Sequence, residues 1–421
     1  MAVYETGALY SSTLPNWQRT YYEAVLMETL RTKSLLVPFC TVKEDHRARE
    51  TGVINYTEVY DTDPNFNALS ETSLWLGGGH LDSRSVNLQL AIYGDILKFS
   101  DYADIVQYVN NGDLRGLVKE KIGQNMKDTA DILARNAFLS HPNKVFAGGT
   151  RANRGALATT DVFDPDFAEL ARTHLEESEV PGVAATQDGE GSTIVCVTTP
   201  RVIHDIRVDA KSDWLEVQNY AGTGRKFVNE VGTWNGVRFV RTMRCLLRNH
   251  GAIEHQTTLN GATVVGQGAA ATVDSVYSVG QSGATTHIHL TDATGFTVGR
   301  ILTIHDVTLN GGGGNPPLET DGTQETRRIV AVNVNEVSLD KPLLKPHNTG
   351  DLVTLGVNVH ASIFMGGPAV VLGIGERPTP IIPPKIDDLQ MINRYGWRGF
   401  FKFQMFRPEF IEVHETSGTT D

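Results

Sequence analysis

The sequence of 421 residues has no run of about 18 consecutive apolar residues, the length that a membrane-spanning helix needs. Its first residues, MAVYETGALYSS, lack the basic and apolar regions of a secretory signal. We therefore expect neither a membrane span nor a signal peptide. The three cysteines, Cys40, Cys196 and Cys245, are too scattered for a disulfide framework or a zinc site. We expect a reducing compartment and three small, buried thiols.

Positive charge is also in short supply. The formal net charge is −12, which argues against a protein whose main work is to bind the phosphates of nucleic acid. This balance still allows weak, non-specific contact with DNA through a local basic face.

Catalytic motifs are scarce as well. The segment GQSG at residues 280–283 is followed by Ala284 where a nucleophile elbow needs glycine. The segment GTGRK at residues 222–226 has the composition of a phosphate-binding loop but not its spacing. We expect this second loop to turn the chain after a helix, and we expect neither enzymatic activity nor a cofactor.

His287 and His289 are the strongest candidates for a metal site. Residues i and i+2 of a strand face the same side, so the two imidazoles could share a metal ion. Asp292, His305 and Asp306 could complete the set. The alternative is that these are exposed strand histidines with no ligand. A β-rich metalloenzyme using His287 and His289 is the competing function from a different class.

Helical patterns fill much of the first half of the chain. Residues 16–33 predict a helix with apolar side chains on two adjoining stripes, which include Trp17, Tyr21 and Tyr22. This helix is either buried within one domain or an arm covered by a neighbouring subunit. Residues 101–109 predict a short helix, and residues 113–140 predict the longest one. Asp164-Pro165 opens another.

Strand patterns occupy residues 43–98 and then dominate after residue 261. In the first region two alternating strands are separated by a long, turn-rich segment. The charged residues at its start, including Arg47 and Arg49, predict either a solvated face or ion pairs between subunits. Residues 261–355 read as short strands and glycine-rich turns, which indicates a small all-β barrel or sandwich inserted into an α+β chain.

Two runs carry a resemblance. Residues 198–221, TTPRVIHDIRVDAKSDWLEVQNYA, predict the end of a strand and two helices, with Ile203, Ile206 and Val208 on or near one face of the first. Residues 231–242, VGTWNGVRFVRT, predict a hairpin around Asn235-Gly236. This order of motifs resembles the axial domain of tailed-phage major capsid proteins with the HK97-like fold, nearest to the N4-like family.

The resemblance implies a domain plan. It places an N-terminal arm at residues 1–42 and an extended loop at 43–98. It places a peripheral domain at 99–157 and 385–421, and an axial domain at 158–260 and 356–384. The β domain at 261–355 lies outside it. Arg225 and Lys226 would lie near the capsomer axis, as assembly contacts.

The same resemblance implies function and partners. Copies would form hexamers and pentamers of an icosahedral head enclosing double-stranded DNA, assembled in the host cytoplasm and found in the virion. A portal and a separate scaffolding protein are expected, a decoration protein is an open option, and the shell would hold without covalent cross-links. An encapsulin-type cellular shell is the alternative within the same fold.

Overall fold

The computed structural model describes residues 35–45, 51–59, 83–100, 114–142, 144–184, 192–210, 215–216, 229–261, 287–305, 324–341, 343, 347–381 and 392–418. Within them lie three α-helices, α1 (Leu114–Phe138), α2 (Pro165–Glu177) and α3 (Pro200–Ala210). In this part of the chain, no helix is both long enough and apolar enough to cross a membrane.

The rest of the described chain is mainly β-structure. The strands in chain order are β1 (Thr41–Glu44), β2 (Val53–Val59), β3 (Ser83–Gln89), β4 (Ala91–Ser100), β5 (Lys144–Phe146), β6 (Val183–Ala184), β7 (Ser192–Thr198), β8 (Leu215–Glu216), β9 (Glu230–Trp234), β10 (Val237–Arg241), β11 (Leu246–Leu247), β12 (Ile253–Thr258), β13 (His287–His289), β14 (Ile301–His305), β15 (Glu325–Asn333), β16 (Glu336–Leu339), β17 (Leu352–Gly356), β18 (Val359–Met365), β19 (Val370–Ile381), β20 (Ile392–Met405) and β21 (Ile411–Thr416).

The long helix α1 packs on a four-stranded sheet of order β1-β19-β20-β4. Val118, Ile122 and Phe138 of the helix are buried in one core with Trp397 and Phe401 of β20. The indole Nε1 of Trp397 also donates a hydrogen bond of 2.9 Å to Asn125 of the helix. Apolar burial therefore fixes the helix on the sheet, and this polar contact sets its position along β20.

A nine-stranded sheet follows, with the order β5-β21-β18-β7-β10-β9-β8, β6 on β7 and β11 on β18. Helices α2 and α3 share a separate apolar core with it. Helix α2 begins as predicted, because the side chain of Asp164 accepts a hydrogen bond from the backbone N–H of Asp166. The β9–β10 hairpin is also confirmed: Asn235 (φ 43°) and Gly236 (φ 76°) supply the two positive φ angles of a type I′ turn.

Strands β2 and β3 form a two-stranded antiparallel sheet, in register from Val53–Gln89 to Val59–Ser83. The alternating pattern of residues 43–98 predicted these two strands. Its later part, however, continues as β4, which pairs with β20 rather than with the hairpin. A two-residue period cannot show which sheet a strand joins.

The remaining six strands form one sheet of order β12-β17-β14-β15-β16-β13. A bridge between Leu259 and Leu290, just beyond the two edge strands, joins the ends of this order. The N–H of Asn260 donates to His289 O, and the N–H of Thr291 donates to Thr258 O, both at 2.9 Å. The strands therefore close as a small barrel around its own aliphatic core.

Two local expectations for residues 198–221 were wrong. Residues 215–216 form strand β8, paired with β9, where the sequence predicted a second helix. In α3, Ile203 and Ile206 are buried but Val208 is 52% exposed, while Val202 is fully buried. The helix thus buries a face centred on Val202 and Ile206, four residues apart. The expected helices at 16–33 and 101–109 lie outside the described residues.

Candidate assembly surfaces

The β2–β3 hairpin is fixed to the four-stranded sheet by a small apolar core. Ile54 and Leu88, which pair across the two strands, are buried against Val371 and Phe406. The ring of Tyr56 meets Phe406 edge to face, with centroids 4.7 Å apart. Burial, and then the Glu58 carboxylate, raise the pKa of this tyrosine. The base of the hairpin is therefore held in one orientation by packing.

Two ion pairs flank this core. Arg407 Nε donates to Glu58 at 2.7 Å, and Arg84 lies 3.3 Å from Glu409. Both arginines also lie over aromatic rings, Arg84 above Phe406 at 5.4 Å and Arg407 above Phe410 at 4.6 Å. Each ion pair is partly exposed and contributes only about 0–1 kcal/mol to stability. The two pairs therefore orient the hairpin more than they stabilise it.

The edges of the four-stranded sheet present exposed apolar side chains. Ile92 is 74% exposed and Ile96 41% exposed on β4, and Val42 is 52% exposed on β1. Beside β4 lies a shallow cavity of about 340 Å³ that is lined by Ile96, Ile381 and Trp397 among others. Apolar groups collected at an open strand edge are typical of a surface that another chain covers.

The described chain begins at a buried anchor. The side chain of Asp131 on α1 accepts hydrogen bonds from the backbone N–H groups of Leu35 and Leu36, at 3.1–3.2 Å. Leu35 and Leu36 are themselves buried in the core beneath α1. The segment that follows the predicted arm is therefore tied to the long helix by both packing and a charge.

The histidines proposed as metal ligands have other contacts. His287 Nδ1 lies 2.9 Å from Ser338 Oγ and 3.5 Å from Glu336 Oε1, across β13 and β16. His289 is only partly exposed, so the description of both as exposed histidines was wrong. His305 lies on β14 and contacts Thr354 at 2.8 Å. Among the described residues, no group of three or more histidine, cysteine, aspartate or glutamate side chains can hold a metal ion.

Asp292 has a local structural role instead. Its carboxylate accepts a hydrogen bond of 2.9 Å from the backbone N–H of Thr294. Hydrogen bonding to the Thr294 side chain, and then to this N–H, lowers the pKa of Asp292. Cys40, Cys196 and Cys245 are buried free thiols, as predicted, and burial raises the pKa of each. High thiol pKa values make them poor nucleophiles and poor metal ligands.

The predicted assembly contacts stay predictions. They lie outside the described residues and are Trp17, Tyr21, Tyr22, Arg47, Arg49, Arg225 and Lys226. Sequence reasoning missed the contacts that the structure does show, namely Asp131 with the start of the described chain and Arg407 with Glu58. The partners in these contacts are distant in sequence, and no local pattern pairs them.

Comparison with known proteins gives a partial family match and a fold. A family model described as phage capsid protein matches residues 102–300. The structure is similar to the capsid of Ralstonia phage GP4, with a TM-score of 0.52 and 12% identity over 90% of this chain and 87% of that one. No curated protein matches the sequence.

Two further structures show lower scores. The head of Helicobacter pylori bacteriophage KHP40 has a TM-score of 0.48 at 7% identity, covering 92% of each chain. The mature capsid of bacteriophage PhiM1 has a TM-score of 0.44 at 12% identity, covering 92% of this chain and 88% of that one. The fold assignment rests on the GP4 capsid. This chain therefore has the α+β, HK97-like capsid fold that the resemblance implied, and the family match covers slightly less than half of its residues.

Proposed function

We propose that this chain is a major capsid protein of a tailed phage, of the N4-like subfamily, and that its copies join as hexamers and pentamers of an icosahedral head that encloses double-stranded DNA. The observation that carries the proposal is that the described part of one subunit has both an anchored hairpin and a sheet edge with exposed apolar side chains. Packing fixes the base of β2–β3 on its own subunit. Ile92 and Ile96 on β4 remain exposed and need cover that a neighbouring copy supplies.

The shell repeats this contact many times, so weak single contacts suffice. The partly exposed pairs Arg84–Glu409 and Arg407–Glu58 would orient each hairpin toward its neighbour. We further propose that the predicted arm, with Trp17, Tyr21 and Tyr22, covers the adjacent subunit. A portal and a separate scaffolding protein would complete the assembly, and DNA would be held by confinement and weak basic contacts.

Electron microscopy of the expressed full-length protein tests the assembly proposal. We expect closed shells or capsomer rings from the wild type. Ile92→Glu adds a charge at the uncovered edge and should abolish them, while circular dichroism shows a folded subunit. Val298→Glu, on a barrel residue that is 63% exposed, is the matched control and should assemble normally. Normal shells from Ile92→Glu would refute the role of this edge.

We also propose that the barrel is an inserted unit that lies on the outside of the shell. The support is the way the chain enters and leaves it. Ile253 of β12 faces Gly356 of β17, Gly251 N–H donates to Val357 O at 2.8 Å, and Val357 N–H donates to Ala252 O at 3.0 Å. The two ends are adjacent, so the barrel can be removed without stretching the rest of the chain.

A deletion tests this second proposal. Replacing residues 253–356 with a short glycine–serine linker should leave a folded subunit that still forms shells, with less density on the outer surface in electron micrographs. Loss of shells from a folded deletion variant would show instead that the barrel takes part in the shell contacts.

A further inference from the structure

A polar cavity of about 90 Å³ lies where the barrel meets the body of the subunit. Three elements enclose it: the last turn of α1 with Arg135, the turn after β11 with Arg248 and His250, and the start of β15 with Gln324 and Thr326. One water needs roughly 10–15 Å³ of such space, so the cavity holds several waters or one small polyatomic ion.

The lining is polar and largely removed from solvent. Arg135 is 5% exposed, His250 3% and Gln324 7%. Arg135 is fixed in place by its neighbours, because its Nε and Nη2 donate to Asn136 Oδ1 at 3.0 and 2.7 Å and its Nη1 donates to Arg244 O at 3.2 Å. Because a guanidinium stays protonated in proteins, Arg135 places a positive charge at the cavity wall.

Arg248 adds a second positive charge. Within the part of the chain that the structure describes, no hydrogen bond or ion pair is seen for its side chain. His250 brings no charge, since burial, followed by the charges of Arg154, His305 and Arg135, holds its pKa well below the usual value. Arg154 is already paired with Glu415 at 2.6 Å, so Arg135 and Arg248 supply the charge at the cavity itself.

Gln324 gives one wall of the cavity a neutral amide in a fixed orientation. Its Nε2 lies 3.1 Å from His305 Nδ1 and 3.4 Å from His250 Nε2. With both imidazoles neutral, the amide N–H groups point toward the two ring nitrogens, and the amide cannot rotate freely. Thr326 adds a hydroxyl that can donate.

We propose that this cavity binds a small tetrahedral oxyanion of the inorganic phosphate class, held by Arg135 and Arg248 with Thr326 as a hydroxyl donor. Guanidinium groups recognise the oxygens of such ions with short, charge-assisted hydrogen bonds. The bound ion joins α1, the β11 turn and β15, and so fastens the barrel to the body. The recessed shape suits a free ion rather than the backbone of a nucleic acid.

Thermal unfolding of the full-length protein tests the site. Inorganic phosphate, titrated against chloride at matched ionic strength, should raise the unfolding temperature by a few degrees and then saturate, because the ion binds only the folded state. A short thymidine oligonucleotide should give no saturable shift. A wild type with no saturable response to phosphate would overturn the proposal and leave the cavity to water.

Arg248→Gln should remove the phosphate-dependent shift while its unfolding temperature in chloride stays near that of the wild type. Arg300→Gln is the matched control, since Arg300 is a partly exposed arginine of the barrel paired with Glu254, and it should respond like the wild type. If Arg248→Gln does not fold, Arg248→Lys keeps the charge and should bind several-fold more weakly. A full phosphate response in either Arg248 variant would also refute the site.

Discussion

Glu412 in the body and His305 in the barrel are two buried ionisable groups that the fold treats in opposite ways. In the body, burial acts to raise the pKa of Glu412, but a 2.8 Å hydrogen bond from His414 and the nearby His174 lower it overall. In the barrel, burial lowers the pKa of His305 to about 4. Partners thus stabilise the charged form of Glu412, whereas burial stabilises the neutral form of His305. The two regions should therefore respond differently to mutation and to acid.

Removing a core side chain from each region should have the largest effect. Phe138→Ala empties a fully buried site in the body, and Ile304→Ala does so in the barrel. We expect losses of about 3–5 and 2–5 kcal/mol in the free energy of unfolding. Hydrogen exchange should show that Ile304→Ala exposes residues 287–305 while residues 192–210 stay protected. Equal exposure of both segments would mean that barrel and body unfold together.

Acid should weaken the barrel first. Above pH 6.5 the His305 imidazole is neutral in both the folded and the unfolded chain. Between pH 6.5 and about pH 4 it is protonated in the unfolded chain and stays neutral in the folded chain. Stability therefore falls across this window, by about 3 kcal/mol for a shift of this size. Glu412 acts later: its contribution is present above its ordinary value of 4.5 and is lost as pH falls below that.

Hydrogen exchange at pH 7 and pH 5 measures this difference. Protection of residues 301–305 should fall at the lower pH while residues 411–416 keep theirs. His305→Gln removes one of the two buried histidines at Gln324 and should reduce the loss of protection at residues 301–305. A variant as acid-sensitive as the wild type would assign the effect to another group.

The anchor on α1 should matter less than either core. Asp131→Asn removes the charge that accepts from Leu35 and Leu36, and we expect a loss of about 1–3 kcal/mol because the two N–H groups are buried. Asp128→Asn on the same helix breaks a partly exposed pair with Arg244 and should cost at most about 1 kcal/mol. Chemical denaturation compares them, and equal losses would contradict a special role for Asp131.

The smallest expected effect is a gain in the barrel. Val334 sits at φ 53° in the β15–β16 turn, a conformation that a β-branched residue adopts only with strain, and its side chain is 85% exposed. Val334→Asn should stabilise the barrel by about 0.5–1 kcal/mol, because asparagine tolerates this φ. Val330→Asn, on an exposed strand position, is the control and should give no gain. Thermal unfolding distinguishes the two.

Local patterns predicted the elements that depend on neighbours in sequence. The helix expected at 113–140 is α1, and the turn at Asn235-Gly236 forms because asparagine and glycine accept positive φ. Patterns failed where pairing is long-range. Residues 215–216 form a strand through pairing with Thr233 and Gly232 of β9, which a local pattern does not show. The HK97-like fold was predicted from a resemblance between motifs, and the division of the chain into domains stays a prediction.

By itself, the sequence determined α1, α2 and α3, the Asn235-Gly236 turn, the buried thiols and the strands described after residue 261, since propensity and periodicity act over a few residues. Only the tertiary structure decided which strands share a sheet, how β2–β3 is anchored and which side chains meet at the junction of barrel and body. Arg135, Arg248 and Gln324 are separated by more than a hundred residues from first to last. They line one cavity only because folding brings them together.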